Sequence, residues 1–181
     1  MRSDLPPIKK HLFLTGEKQV GKSTIWQTLL EGRPHTGFIT EPFFVQDVKR
    51  GYILHSILEL PDMMNDVPCV IRVNERRQTA VPPVFEGAGV KALEKALADE
   101  TPIILMDELG KVERQCDGFL DIVRRCLDDD SHHVLGVVQR GDTPMQREIM
   151  TRNDILRYEV TPDNRGEVRA EVEAILRKWG L

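Results

Sequence analysis

His11-Leu12-Phe13-Leu14-Thr15-Gly16-Glu17-Lys18-Gln19-Val20-Gly21-Lys22-Ser23-Thr24 is the stretch that decides the fold. An apolar run of strand type leads into Gly-x-x-x-x-Gly-Lys-Ser, and Ile25-Trp26-Gln27-Thr28-Leu29-Leu30 continues at helical spacing. That order of strand, loop and helix is the context a Walker A phosphate-binding loop requires. Gly16 and Gly21 allow backbone angles that a Cβ forbids, so the amides of Glu17, Lys18, Gln19 and Val20 can curl around phosphate oxygens. The helix starting near Lys22 adds its positive end to the cradle. Lys22 is expected to reach the β- and γ-phosphates, Ser23 to ligate Mg²⁺, and Thr24 to offer a further hydroxyl to a phosphate.

A second signal comes from Ile103-Ile104-Leu105-Met106-Asp107-Glu108, four aliphatic residues closing on two acids. A continuous apolar run of this length reads as a central parallel strand buried on both faces. Ligands in an open α/β sheet bind beyond the carboxyl ends of the strands, so this Walker B end should meet the loop after the first strand. Asp107 is then the holder of Mg²⁺ behind its direct ligands. Glu108 is placed to orient and deprotonate a water aligned on the γ-phosphate.

Other segments read as alternating strands and helices around these two. Gly37 to Thr40 is expected to be a short strand. Phe43 to Asp47 and Gly51 to Ile57 should form two further strands joined by a tight Val48 to Gly51 connection, with Val67 to Val73 extending them. This hairpin region, about 41–73, interrupts the alternation, and strands without an intervening helix pair antiparallel. The predicted fold is therefore a three-layer α/β domain over residues 1–181 with a mostly parallel, partly mixed central sheet. Asn74 to Pro83 reads as a mobile loop, and Glu86 to Asp99 as a helix with Val90, Leu93 and Leu97 inward. Asp117 is expected to cap a helix with Phe119, Leu120, Val123, Cys126 and Leu127 inward, His133 to Val138 to be a buried strand, and Thr143-Pro144 to open a short helix. Leu156 to Val160 should be the last strand, and Thr161-Pro162 the start of a C-terminal helix striped by Val168, Val172, Ile175, Leu176 and Trp179.

With 181 residues, 40% hydrophobic and 30% charged, the chain suits one α/β core. Its net charge of −4 gives no indication of a nucleic-acid partner, and Arg72, Arg76 and Arg77 read as a solvated face. Residues 1–7 contain no apolar core of signal-peptide length and no later run approaches a membrane span, so a cytoplasmic protein is expected. Cys69, Cys116 and Cys126 read as buried reduced thiols, and His132 and His133 as a strand boundary without a metal. No surface stripe is apolar enough to demand a partner chain, so a monomer is expected.

These blocks together resemble a known family, the small P-loop nucleoside-triphosphatases first described from thermophiles, of the cancer-related nucleoside-triphosphatase type. The resemblance rests on His11 to Gly16 with Gly21 to Thr24, on Gly37-Phe38-Ile39-Thr40-Glu41, on Arg50-Gly51-Tyr52, on Asp107-Glu108-Leu109-Gly110-Lys111-Val112-Glu113, and on Val160-Thr161-Pro162-Asp163-Asn164-Arg165. It implies a RecA-like core that hydrolyses ATP, GTP and other nucleoside triphosphates with Mg²⁺, assisted by Glu108, and it implies contacts of Asn164 and Arg165 to the base edge, with a helix N-terminal role as the equal alternative for Asn164. Pro61 to Pro83 and Gln139-Arg140-Gly141-Asp142 depart from the family's pattern. For neutralising the transferred phosphoryl group, Arg152 in the short-helix region is the first candidate and Arg140 the second. A nucleotide or small-molecule kinase and a low-turnover nucleotide switch use the same loop. The Asn-Lys-x-Asp element of guanine-specific switches does not occur in the chain.

Overall fold

The computed structural model describes residues 9–61, 63–110 and 115–181. β1 (His11–Thr15) leads into α1 (Lys22–Leu30), and then come β2 (Thr36–Val45), β3 (Val48–Ser56), β4 (Val67–Arg72) and β5 (Gln78–Ala80). The chain then turns helical: a single turn, α2 (Pro82–Val84), passes through a π-helical stretch (Phe85–Gly89) into α3 (Val90–Ala98). β6 (Ile103–Leu109), α4 (Asp117–Asp128), β7 (His133–Val138), α5 (Pro144–Thr151), β8 (Ile155–Glu159) and α6 (Arg165–Lys178) complete the order. The strands form one eight-stranded sheet in the order β5-β4-β3-β2-β6-β7-β1-β8. β2, β6, β7, β1 and β8 run parallel, whereas β2 to β5 are antiparallel neighbours, so the sheet is mixed as expected.

Burial on both faces explains why β1, β6 and β7 read as unbroken apolar runs. Leu12 and Leu14 point into one core with Ile25, Trp26 and Leu29 of α1 and Val168, Val172 and Leu176 of α6. Phe13 points into the other, with Phe38, Met106, Leu93 of α3 and Phe119, Val123 and Cys126 of α4. The result is three layers, with α1 and α6 on one face. Trp26 is fully buried, and its indole N–H donates to the Gly136 carbonyl at 3.0 Å, so the largest side chain of the first core carries no unsatisfied donor. The three cysteines are buried and unbridged, and burial pushes the Cys126 thiol up to about 12.

Four local expectations are corrected. The hairpin connection lies at Gln46-Asp47, not Val48 to Gly51. Both residues have positive φ, 49° and 61°, the two-residue geometry that matches strand twist. β2 accordingly continues without a break from the predicted Gly37 strand through a bulge at Phe43/Phe44. Gly51 is inside β3 because a Cβ there would lie 1.9 Å from the Val70 carbonyl oxygen of β4. Next, Asn74 to Pro83 is not one loop. Asn74 Oδ1 accepts the amides of Arg76 and Arg77 at 3.0 and 2.9 Å, closing a turn that returns the chain as β5. Third, Asp117 is the first residue of α4 and Cys116 its cap position, while Glu86 reaches across to accept the Gly118 amide. Finally, α6 begins at Arg165. Thr161 and Asn164 exchange side-chain and backbone hydrogen bonds in a turn of their own before it.

One core histidine yields a pH prediction. His11 is fully buried at the start of β1; its Nδ1 accepts the Val134 amide at 2.9 Å, so Nε2 carries the proton and donates to the Leu127 carbonyl at 3.0 Å. Burial, only partly offset by Asp154, lowers its pKa from 6.5 to about 4. The unfolded chain therefore binds a proton below 6.5 that the folded chain refuses until about 4. Stability contributed by neutral His11 is complete above that window and is lost as the pH falls through it, up to about 3 kcal/mol. Urea unfolding at pH 7, 6, 5 and 4.5 should show the loss, and His11→Gln should flatten it; equal slopes would refute the assignment.

Candidate active site

The loop between β1 and α1 turns on two glycines at positive φ. Gly16 has φ 137°, and a Cβ there would meet the Val160 carbonyl oxygen at 2.3 Å where the Val160 amide bonds Thr15. Gly21, at φ 97°, turns the chain into α1, and Val20 is tucked into the core beneath the loop. Glu17, Lys18 and Gln19 between them face solvent, as do Ser23 and Thr24 at the start of α1. Lys22 points back over the loop, only 7% exposed, and its ammonium donates to the carbonyls of Gly16, at 3.1 Å, and Glu17. Burial lowers its pKa, and the carboxylates of Glu108, Asp107 and Glu17 oppose that shift.

Across the cleft, Ser23 Oγ donates to Asp107 Oδ1 at 3.1 Å. Burial pushes Asp107 up to about 6, against the pull of that hydroxyl. β6 slips register against β7 here: Asp107 pairs with Val137 and Leu109 with Val138, leaving Glu108 as the extra residue of a bulge. A bulge turns a side chain out of the ladder's alternation, and Glu108 is only half-buried while its neighbours are buried. Its carboxylate accepts from Gln139 Nε2. Gln139 is itself fixed, its amide donating to the Leu109 carbonyl at 2.8 Å and its carbonyl accepting from Gln146 Nε2 at 3.0 Å. Gln146 closes the capping box with Thr143 that starts α5. A pocket of about 170 Å³ remains, lined by Gly16, Glu17, Lys18, Lys22, Glu108, Gln139 and Arg140.

The structure thus brings Lys22, Ser23, Asp107 and Glu108 together from two separate segments. Arg165 lies beside the end of the loop, its Cδ 3.1 Å from where a Cβ on Gly21 would be. Asn164 is close by, but its amide is taken up by backbone: it donates to the Glu159 carbonyl at 2.9 Å and accepts the Thr161 amide at 2.7 Å. Lys111, Val112 and Glu113 lie outside the described residues.

Arg152 is not at this site. Its guanidinium bonds Asp154 at 2.7 and 3.0 Å, Asp128 at 2.8 Å and the Leu127 carbonyl at 3.0 Å, beside the start of β1, where Lys10 and His11 bond the Asp154 carbonyl. That is the amino edge of the parallel strands, the end opposite the loop. Arg140 follows the carboxyl end of β7 and lines the pocket. Strand polarity was the available signal: a residue just before a parallel strand lies on the wrong edge, and one just after it on the right edge. Gln139 was missed as a functional residue for a related reason, since nothing in sequence pairs it with Glu108.

Among the described residues no group of three or more His, Cys, Asp and Glu side chains is placed to hold a metal. Ser23 and Asp107 are hard oxygen donors side by side, which suits an ion such as Mg²⁺ that keeps waters and phosphate oxygens for most of its shell. No helix among the described residues is long and apolar enough to cross a membrane.

Known proteins resemble this chain along nearly its whole length. The NTPase family model matches residues 11–173. The nucleoside-triphosphatase THEP1 of Thermotoga maritima is 25% identical over 92% of this chain and 95% of its own. The cancer-related nucleoside-triphosphatase homolog of Bos taurus is 28% identical over 90% of this chain and 94% of its own. In fold, the crystal structure of THEP1 from Aquifex aeolicus superimposes with a TM-score of 0.72 at 24% identity, covering 92% of this chain and 98% of that one. Both the order of motifs and a match from β1 into α6 lead to the same place: this chain belongs to the NTPase family.

Proposed function

We propose that the chain hydrolyses nucleoside triphosphates, transferring the γ-phosphoryl group to water in a Mg²⁺-dependent reaction that tolerates several bases. The observation that carries this reading is that Lys22 and Glu108 line one pocket at the carboxyl edge of the sheet, with the hydrogen-bonded Ser23 and Asp107 as their immediate chain neighbours. The amides of residues 16–21 and the dipole of α1 grip the β- and γ-phosphates, and Lys22 exchanges its loop carbonyls for phosphate oxygens. Ser23, its hydroxyl held by Asp107, would ligate Mg²⁺, which would supply charge neutralisation to the leaving diphosphate. Glu108, turned out of the ladder by the bulge and steadied by Gln139, takes the proton of the attacking water. Base tolerance follows from Arg165, whose planar guanidinium can stack on any base without reading its edge.

The test is a phosphate-release screen over ATP, GTP, CTP and UTP with and without Mg²⁺. Release is expected from each nucleotide without an added acceptor and only with the metal present. Release that waits for an acceptor would make the chain a kinase, and tight retention of diphosphate without turnover would make it a switch.

A further inference from the structure

Arg140 forms a bridge that the hydrolytic reading does not use. Its Nη1 lies 2.8 Å from Oε1 of Glu17, a residue of the phosphate loop, and its Nη2 contacts Glu159 at the end of β8. Arg140 and Glu17 both line the pocket that Lys22, Glu108 and Gln139 also line, so this arm of the bridge lies within it. With Lys22 bonded to the loop's own carbonyls, two of the three cations that line the pocket, Lys22 and Arg140, are held by protein oxygens. All three bridging side chains are half-exposed or more, at 50% for Arg140, 74% for Glu17 and 55% for Glu159. Ion pairs so open to water hold weakly and exchange readily. A triphosphate entering the loop puts several negative charges beside Glu17 and offers Arg140 a bidentate partner that a guanidinium fits well.

On the hydrolase reading above, we propose that Arg140 is the cation supplied in cis to the transferred phosphoryl group, and that Glu17 and Glu159 latch it across the pocket until nucleotide displaces them. Arg140 contributes charge alone and takes no proton. The latch makes the carboxylates competitors of the substrate's phosphates, so their removal should favour nucleotide, not weaken it.

Two readouts test this. In calorimetry with ATP and no metal, Glu159→Gln should tighten binding by up to about fivefold, and the gain should vanish in the Arg140→Ala background. In phosphate release, Arg140→Ala should lose about 100-fold in kcat, Arg140→Lys should recover part of it, and millimolar guanidinium should partly rescue Arg140→Ala, which a merely structural arginine would not allow. Unchanged ATP affinity in Glu159→Gln, or Arg140→Ala turnover within threefold of wild type, overturns the proposal. A wild type that binds ATP yet releases no phosphate overturns the hydrolase reading, while the binding cycle still judges the latch; a wild type that binds no ATP overturns both.

Discussion

Glu108→Gln is expected to lower phosphate release about 1000-fold while leaving ATP affinity within a few-fold of wild type. Glutamine keeps the shape of the side chain, and its amide oxygen can still accept from Gln139 Nε2, so the bulge at Asp107 to Leu109 and the pocket wall survive. The capacity to take a proton is lost. Gln139→Ala is the companion measurement: it leaves the base intact but unsteadied, and a loss of about tenfold in kcat is expected, smaller than that of Glu108→Gln. Single-turnover hydrolysis beside nucleotide titration separates the two effects. Wild-type rates in Glu108→Gln would remove Glu108 from the chemistry.

Lys22→Ala should weaken ATP binding by about 10- to 100-fold, the value of one or two charged hydrogen bonds, and abolish measurable turnover. Its effect on stability should have the opposite sign. Lys22 is buried against two backbone carbonyls with its pKa pulled below the ordinary lysine range, so the nucleotide-free fold carries the desolvation cost of its charge. Thermal unfolding of Lys22→Met, which keeps the apolar stem, should occur at or above the wild-type temperature. A large drop in melting temperature would make Lys22 a structural residue. The pairing of lost binding with retained stability marks a group held for a ligand.

Strands β1, β6 and β7 were legible because each is buried on both faces, and such burial leaves a run of apolar residues that needs no partner to be recognised. The phosphate loop was legible for a similar reason: Gly16, Gly21, Lys22 and Ser23 act through spacing along one local curl. Asp107 and Glu108 followed from the apolar run that leads into them, although β6 continues to Leu109. The hairpin turn at Gln46-Asp47 was not legible, since neither residue is a glycine and Gly51, which is one, is present to let β4 approach.

What sequence determined, then, is most of the elements, β5 excepted, and the glycine-bracketed loop between β1 and α1, because those depend on residues within about ten positions of each other. Tertiary structure alone decided that Glu108 leaves the ladder to meet Gln139, that Glu17 and Glu159 share Arg140, and that Arg152 faces away. Each of these depends on which strands lie side by side and on which end of a strand a residue occupies. Parallel strands are paired across long connections, so that information is held in packing between distant segments and not in any one of them.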